Sequence, residues 1–120
     1  MLFRSDANPT VTLAIAPAAI AEAGGTATVT ATLSAISGQD VIVDLAFSGT
    51  ATNLSDYFAS GTQIVILAGN TSGTVTLNAL QDLVDETNET IVVDISGVTN
   101  GTELGTQQDS VTIKIGRAHV

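Results

Sequence analysis

Four of the twelve acidic residues of this 120-residue chain fall within nine positions, 81–89: Asp82, Asp85, Glu86 and Glu89. They sit where a loop gives way to the segment Thr90–Ile95, which alternates polar and apolar residues as a half-buried strand does. A solvated loop accounts for some charge there. It does not account for carboxylates concentrated at a loop–strand junction in a chain with only 12% charged residues. Several carboxylate and carbonyl oxygens converging at about 2.3–2.6 Å are what Ca²⁺ requires. Mg²⁺ fits less well because it keeps its waters and needs fewer protein carboxylates. Zinc is disfavoured, since there is no Cys and the single His, His119, lies in the last residues.

Other chemistry is hard to assemble. No lysine precedes Lys114, and no Cys offers a nucleophile or a disulfide. A pair of carboxylates is what a glycosidase requires. With 3% aromatic residues, however, nothing supplies a platform for a sugar ring. The chain reads as non-catalytic. A net charge of −9 argues against nucleic acid and anionic membrane surfaces, both of which call for Lys and Arg. No apolar run nears the roughly 20 residues of a membrane-spanning helix, so membrane insertion by this domain is not expected. Asn-x-Ser/Thr matches at Asn53, Asn70, Asn88 and Asn100 are what chance yields in a Thr-rich chain.

The positioning elements read as strands. Hydrophobic content is 44%, so the core must be built of Val, Ile, Leu and Ala. Thr26–Leu33 alternates Thr with Ala, Val or Leu over its whole length, the cleanest period-2 pattern present. Thr10–Ile15, Val41–Phe47, Gln63–Leu67, Ser72–Ala79, Thr90–Ser96 and Ser110–Ile113 complete about seven strands, separated by Gly, Asn, Asp and Ser turns. Ala18–Ala23 is too short to hold a helix. The expected fold is all-β, a two-sheet immunoglobulin-like antiparallel sandwich. Asp44 and Asp94 fall on polar strand faces. Asp40, Glu103 and Asp109 read as turn or loop charge, and Asp85 as solvent-facing.

Four segments, in order, carry a resemblance. They are Ala19–Gly25 before a Thr/Val strand, Phe47–Ala51 leading to Asp56-Tyr57, Ile66–Gly69 with Ser72–Val75, and Asp82–Glu86 with Glu89-Thr90. Together, over about residues 9–113, they resemble a Calx-beta domain, the immunoglobulin-like calcium-binding module of sodium–calcium exchangers, an integrin subunit and large bacterial surface proteins. The resemblance implies Ca²⁺ ligation at one end of the sandwich by Glu22, Asp56, Asp82, Glu86 and Glu89, with Val84 where a backbone carbonyl serves. Two positions depart from the family pattern. Gln81 stands where the first Asp of an Asp-Asp pair belongs, and Lys114-Ile115-Gly116 replaces an acidic run after the last strand. Five clustered carboxylates would raise one another's pKa values without a cation, so binding should stabilise the fold.

The implied role is a non-catalytic structural or adhesion module of a larger exported or cell-surface bacterial protein. Its partners would be calcium ions and neighbouring domains of the same chain. The alternatives are a metal-free spacer or adhesion repeat, and an accessory domain of a secreted enzyme. The three basic residues Arg4, Lys114 and Arg117 all lie near the termini. Ile115–Val120 back-translates to ATC-GGA-AGA-GCA-CAC-GTC and Leu2–Ser5 to CTC-TTC-CGA-TCT, the two strands of a short-read sequencing adapter. The expected layout is therefore a non-native or disordered leader over 1–8, the domain over 9–113 and a non-native tail over 114–120.

Overall fold

A computed structural model describes residues 9–22, 24–51, 57–80 and 88–114. Ten strands follow one another: β1 (Thr10–Ala16), β2 (Ala19–Ala21), β3 (Thr26–Leu33), β4 (Val41–Ser48), β5 (Tyr57–Ala59), β6 (Gln63–Ile66), β7 (Ser72–Ala79), β8 (Glu89–Thr99), β9 (Thr102–Glu103) and β10 (Gln108–Lys114). They form two five-stranded sheets, ordered β5-β7-β3-β1-β9 and β2-β10-β8-β4-β6. The all-β sandwich is as the alternation implies. In β3 the residues Ala27, Val29, Ala31 and Leu33 are buried, while the threonines between them face out or are half-buried. Successive side chains point to opposite faces, so one row of a strand enters the core.

Between the sheets lie Val11, Leu13, Ile15, Ala27, Val29, Leu33, Val41, Val43, Ile64, Ile66, Leu77, Ile91, Val93 and Val111, with others of their kind. Fully burying each Val, Leu or Ile contributes about 1.5–3 kcal/mol. No charged side chain is buried among the described residues.

The strand count exceeds the expected seven by β2, β5 and β9, each only two or three residues long. Segments that short carry no period of their own, and their pairing is decided by the neighbours they meet. β2 occupies part of the Ala18–Ala23 stretch and runs parallel to β10. β8 continues past Ser96 to Thr99. Its register on β4 shifts between Asp44 and Leu45: Asp44 faces Gly97, whereas Leu45 faces Ile95. The extra residue, Ser96, is a bulge that breaks strict alternation and hides the rest of the strand from a period-2 reading.

The register also fixes the two ends of the sandwich. β10 ends at Lys114 between β2 and β8, with Ile113 opposite Ile20 on one side and Glu89 on the other. Thr26 at the start of β3 pairs with Asn78, and Tyr57 at the start of β5 pairs with Ala79. The backbone N–H of Ala79 donates to the carbonyl of Gly25 at 2.9 Å, extending the β3–β7 ladder by one step at this end. Thr10, Leu33, Val41 and Thr99 lie at the other end.

Candidate metal centre

Glu22 follows β2 directly. Its backbone N–H donates to the carbonyl of Lys114 at 2.8 Å, and its own carbonyl accepts from Gly24 at 2.9 Å. The turn is tight: Gly25 donates to the carbonyl of Ala21 at 3.0 Å. A Cβ on Gly25 would lie 2.6 Å from the Ala21 backbone, so only glycine fits there. Glu89 is the first residue of β8 and, like Glu22, is half-buried. Only β10 separates the strands that carry the two glutamates. Glu89 is level with Ile20, so two strand spacings and a two-residue stagger put the backbones of Glu22 and Glu89 about 12 Å apart, a gap that two glutamate side chains can span with a cation between them.

A third chain segment is pinned beside them. Ala51 N–H donates to the Thr90 carbonyl at 2.9 Å, and Thr90 N–H donates to Thr50 Oγ1 at 2.9 Å. Gly49 makes this approach possible. Its φ is +102°, and a Cβ there would sit 2.5 Å from the Thr90 carbonyl oxygen. At the same end, Phe47 of one sheet meets Tyr57 of the other edge-on, with ring centroids 6.2 Å apart and planes at 66°. Such a pair adds about 0.5–1.5 kcal/mol beyond its burial. Tyr57 is only 1% exposed, and burial pushes its phenol above its usual pKa.

Of the six residues nominated from the sequence, Glu22 and Glu89 are brought to one end of one sheet. Asp56, Asp82, Val84 and Glu86 lie outside the described residues. The described residues flanking them, Tyr57, Leu80 and Asn88, belong to this same end. Among the described residues no three carboxylate, imidazole or thiol groups gather into a metal-holding cluster. The donors present are carboxylate oxygens, hard ligands of the kind calcium takes. The exposed Lys114 is a cation at the C-terminal end of the strand between the two glutamates.

Asp85 lies outside the described residues, and the remaining acids among the described residues have other work. Asp44 Oδ1 accepts from Gln63 Nε2, and Asp94 Oδ1 from Gln108 Nε2, each at 2.6 Å on the outer sheet face. Asp40 Oδ1 accepts from Ala68 N–H at 2.8 Å, and Glu103 Oε2 from Gln107 N–H at 2.6 Å. Asp109 is not loop charge. It lies in β10, where its Oδ2 accepts from Ile15 N–H at 2.8 Å. Gly25, Thr50 and Thr90 lie in the segments that carry the resemblance, but nothing in the sequence marks them as the braces of this end; their signal is only a glycine or threonine near a nominated acid.

The strand order defines a two-sheet immunoglobulin-like sandwich whose first two strands, β1 and β2, are divided between the sheets. The sequence model of the Calx-beta domain matches residues 5–116, and the chain belongs to the Calx-beta domain family. No curated protein matches it in sequence. Among solved structures it resembles the apo form of the Calx CBD1 domain, with TM-score 0.68 and 16% identity over 88% of this chain and 96% of that one. It also resembles CBD12 from CALX1.2, with TM-score 0.71 and 15% identity over 87% of this chain. The calcium binding domain CBD12 of CALX1.1 gives TM-score 0.68 at 17% identity over 87% of this chain. Both CBD12 chains are longer, and the match takes in 43% of each. At these identities the likeness is one of fold.

Proposed function

We propose that this domain, over about residues 9–113, is a non-catalytic calcium-binding module. In it Ca²⁺ is held by Glu22, Asp56, Asp82, Glu86 and Glu89, with the Val84 carbonyl, and stiffens that end of the sandwich. Membership of the Calx-beta family supports the reading. The observation that carries it is the convergence of Glu22 and Glu89 on the two sides of the β10 terminus. The parent would be an exported or cell-surface bacterial protein in which this module stands in line with neighbouring domains and keeps the array extended. No helix among the described residues is long and apolar enough to cross a membrane.

Thermal unfolding of the full chain with calcium and with EDTA tests the proposal. A calcium concentration one hundredfold above the dissociation constant adds about 2.7 kcal/mol to stability, a rise of roughly 10 °C or more for a domain of this size. Glu89→Gln combined with Asp82→Asn should abolish the rise. A melting temperature indifferent to calcium would refute the reading. It would favour instead a metal-free spacer, for which the Lys114 cation between the two glutamate-bearing strands is the supporting feature.

A further inference from the structure

We infer that β10 and the β1–β2 segment together form a shear clamp, which gives this domain a force-bearing function along its long axis. β1 and β2 run one after the other in the direction of β10, and four hydrogen bonds tie the two lines together at successive points. Leu13 N–H donates to Gln107 Oε1 at 3.1 Å, and Ile15 N–H to Asp109 Oδ2 at 2.8 Å. Thr112 N–H then donates to the Ala18 carbonyl at 2.9 Å, and Glu22 N–H to the Lys114 carbonyl at 2.8 Å. Between the last two, Ala19, Ile20 and Ala21 pair in parallel with Thr112, Ile113 and Lys114.

The domain is entered at Pro9, at one end of the sandwich, and left at Lys114, at the other. Tension applied through these points draws β1–β2 and β10 past each other along their length. The tie bonds lie across that direction, so all of them bear load together. Load that peels strands apart from one end meets the bonds one at a time. The directions of β1, β2 and β10 place this clamp in the path of force whatever the metal state. The inference rests on the proposed reading only in taking the domain to stand in line with others.

Single molecules of the full chain, flanked by marker domains, are to be stretched in EDTA between the two termini. The same chain carrying Ser48→Cys is then stretched between that residue and the C-terminus. Ser48 lies at the same end as Lys114, so this second geometry peels, and the chain has no other cysteine to compete for the attachment. The expected result is a terminus-to-terminus unfolding force several-fold above the peeling force. Gln107→Ala with Asp109→Ala should lower the first force and leave the second nearly unchanged. Equal forces in the two geometries would overturn the inference, as would a double variant that folds and retains the full terminus-to-terminus force. If that variant does not fold, the comparison of geometries in the unaltered chain decides alone. EDTA keeps the outcome separate from the calcium proposal, which the melting experiment addresses.

Discussion

Asp109 reaches from β10 of one sheet to β1 of the other, and its Oδ2 accepts the backbone N–H of Ile15 at 2.8 Å. Gln107 serves Leu13 in the same way, and Leu104 N–H and Thr102 N–H pair with the carbonyls of Val11 and Pro9. The outer edge of β1 is thereby covered along its length. An uncovered edge would invite pairing with another chain.

Replacing Asp109 by Ala leaves the Ile15 N–H without this partner. A buried donor left unsatisfied costs about 1–3 kcal/mol, so the urea midpoint should fall accordingly. Asp109→Asn keeps a carbonyl acceptor and should recover most of the loss. An alanine variant as stable as the parent would show that water replaces the bond at no cost.

Gly49 combines a φ of +102° with a backbone oxygen where its Cβ would stand. Alanine there should destabilise the fold by more than about 1 kcal/mol, as measured by denaturant unfolding. Gly38 is a matched control, because a Cβ there meets nothing within 4 Å. Gly38→Ala should shift the midpoint far less.

Tyr57 titrates above the usual value of 10.0 because burial disfavours its phenolate. The folded state then holds the phenol proton more tightly than the unfolded chain does. Its contribution to stability is complete below pH 10 and is lost as pH rises from there toward the folded-state pKa. The slope for one proton cannot exceed about 1.4 kcal/mol per pH unit. Tyr57 is the only tyrosine, so ultraviolet titration of tyrosinate reads it directly. Tyr57→Phe should flatten this part of the alkaline decline.

Lys114 ends the strand that lies between those carrying Glu22 and Glu89. A cation there opposes a second one through ordinary charge repulsion. Lys114→Glu should tighten calcium binding, by calorimetric titration, several-fold at low ionic strength and less at high salt. Equal affinities for the variant and the parent would place the metal away from this strand.

The alternation of Thr with Val, Ala and Leu in Thr26–Leu33 carried the sandwich by itself, because a period of two on one strand dictates which side chains a second sheet must cover. The acids within 81–89 stood out from residue type and spacing as candidate hard-cation ligands, whereas Glu22 entered only through the family resemblance. Short strands were not legible. β2, β5 and β9 have too few residues to show a period, and the bulge at Ser96 reset the alternation of β8. Nor did any local signal mark Asp109 as a tie between sheets, since its partner Ile15 lies 94 residues away. Residue type and spacing settled the class of fold. Only the packing of the two sheets decided which distant residues meet, because strand order and register depend on contacts that no single stretch of chain contains.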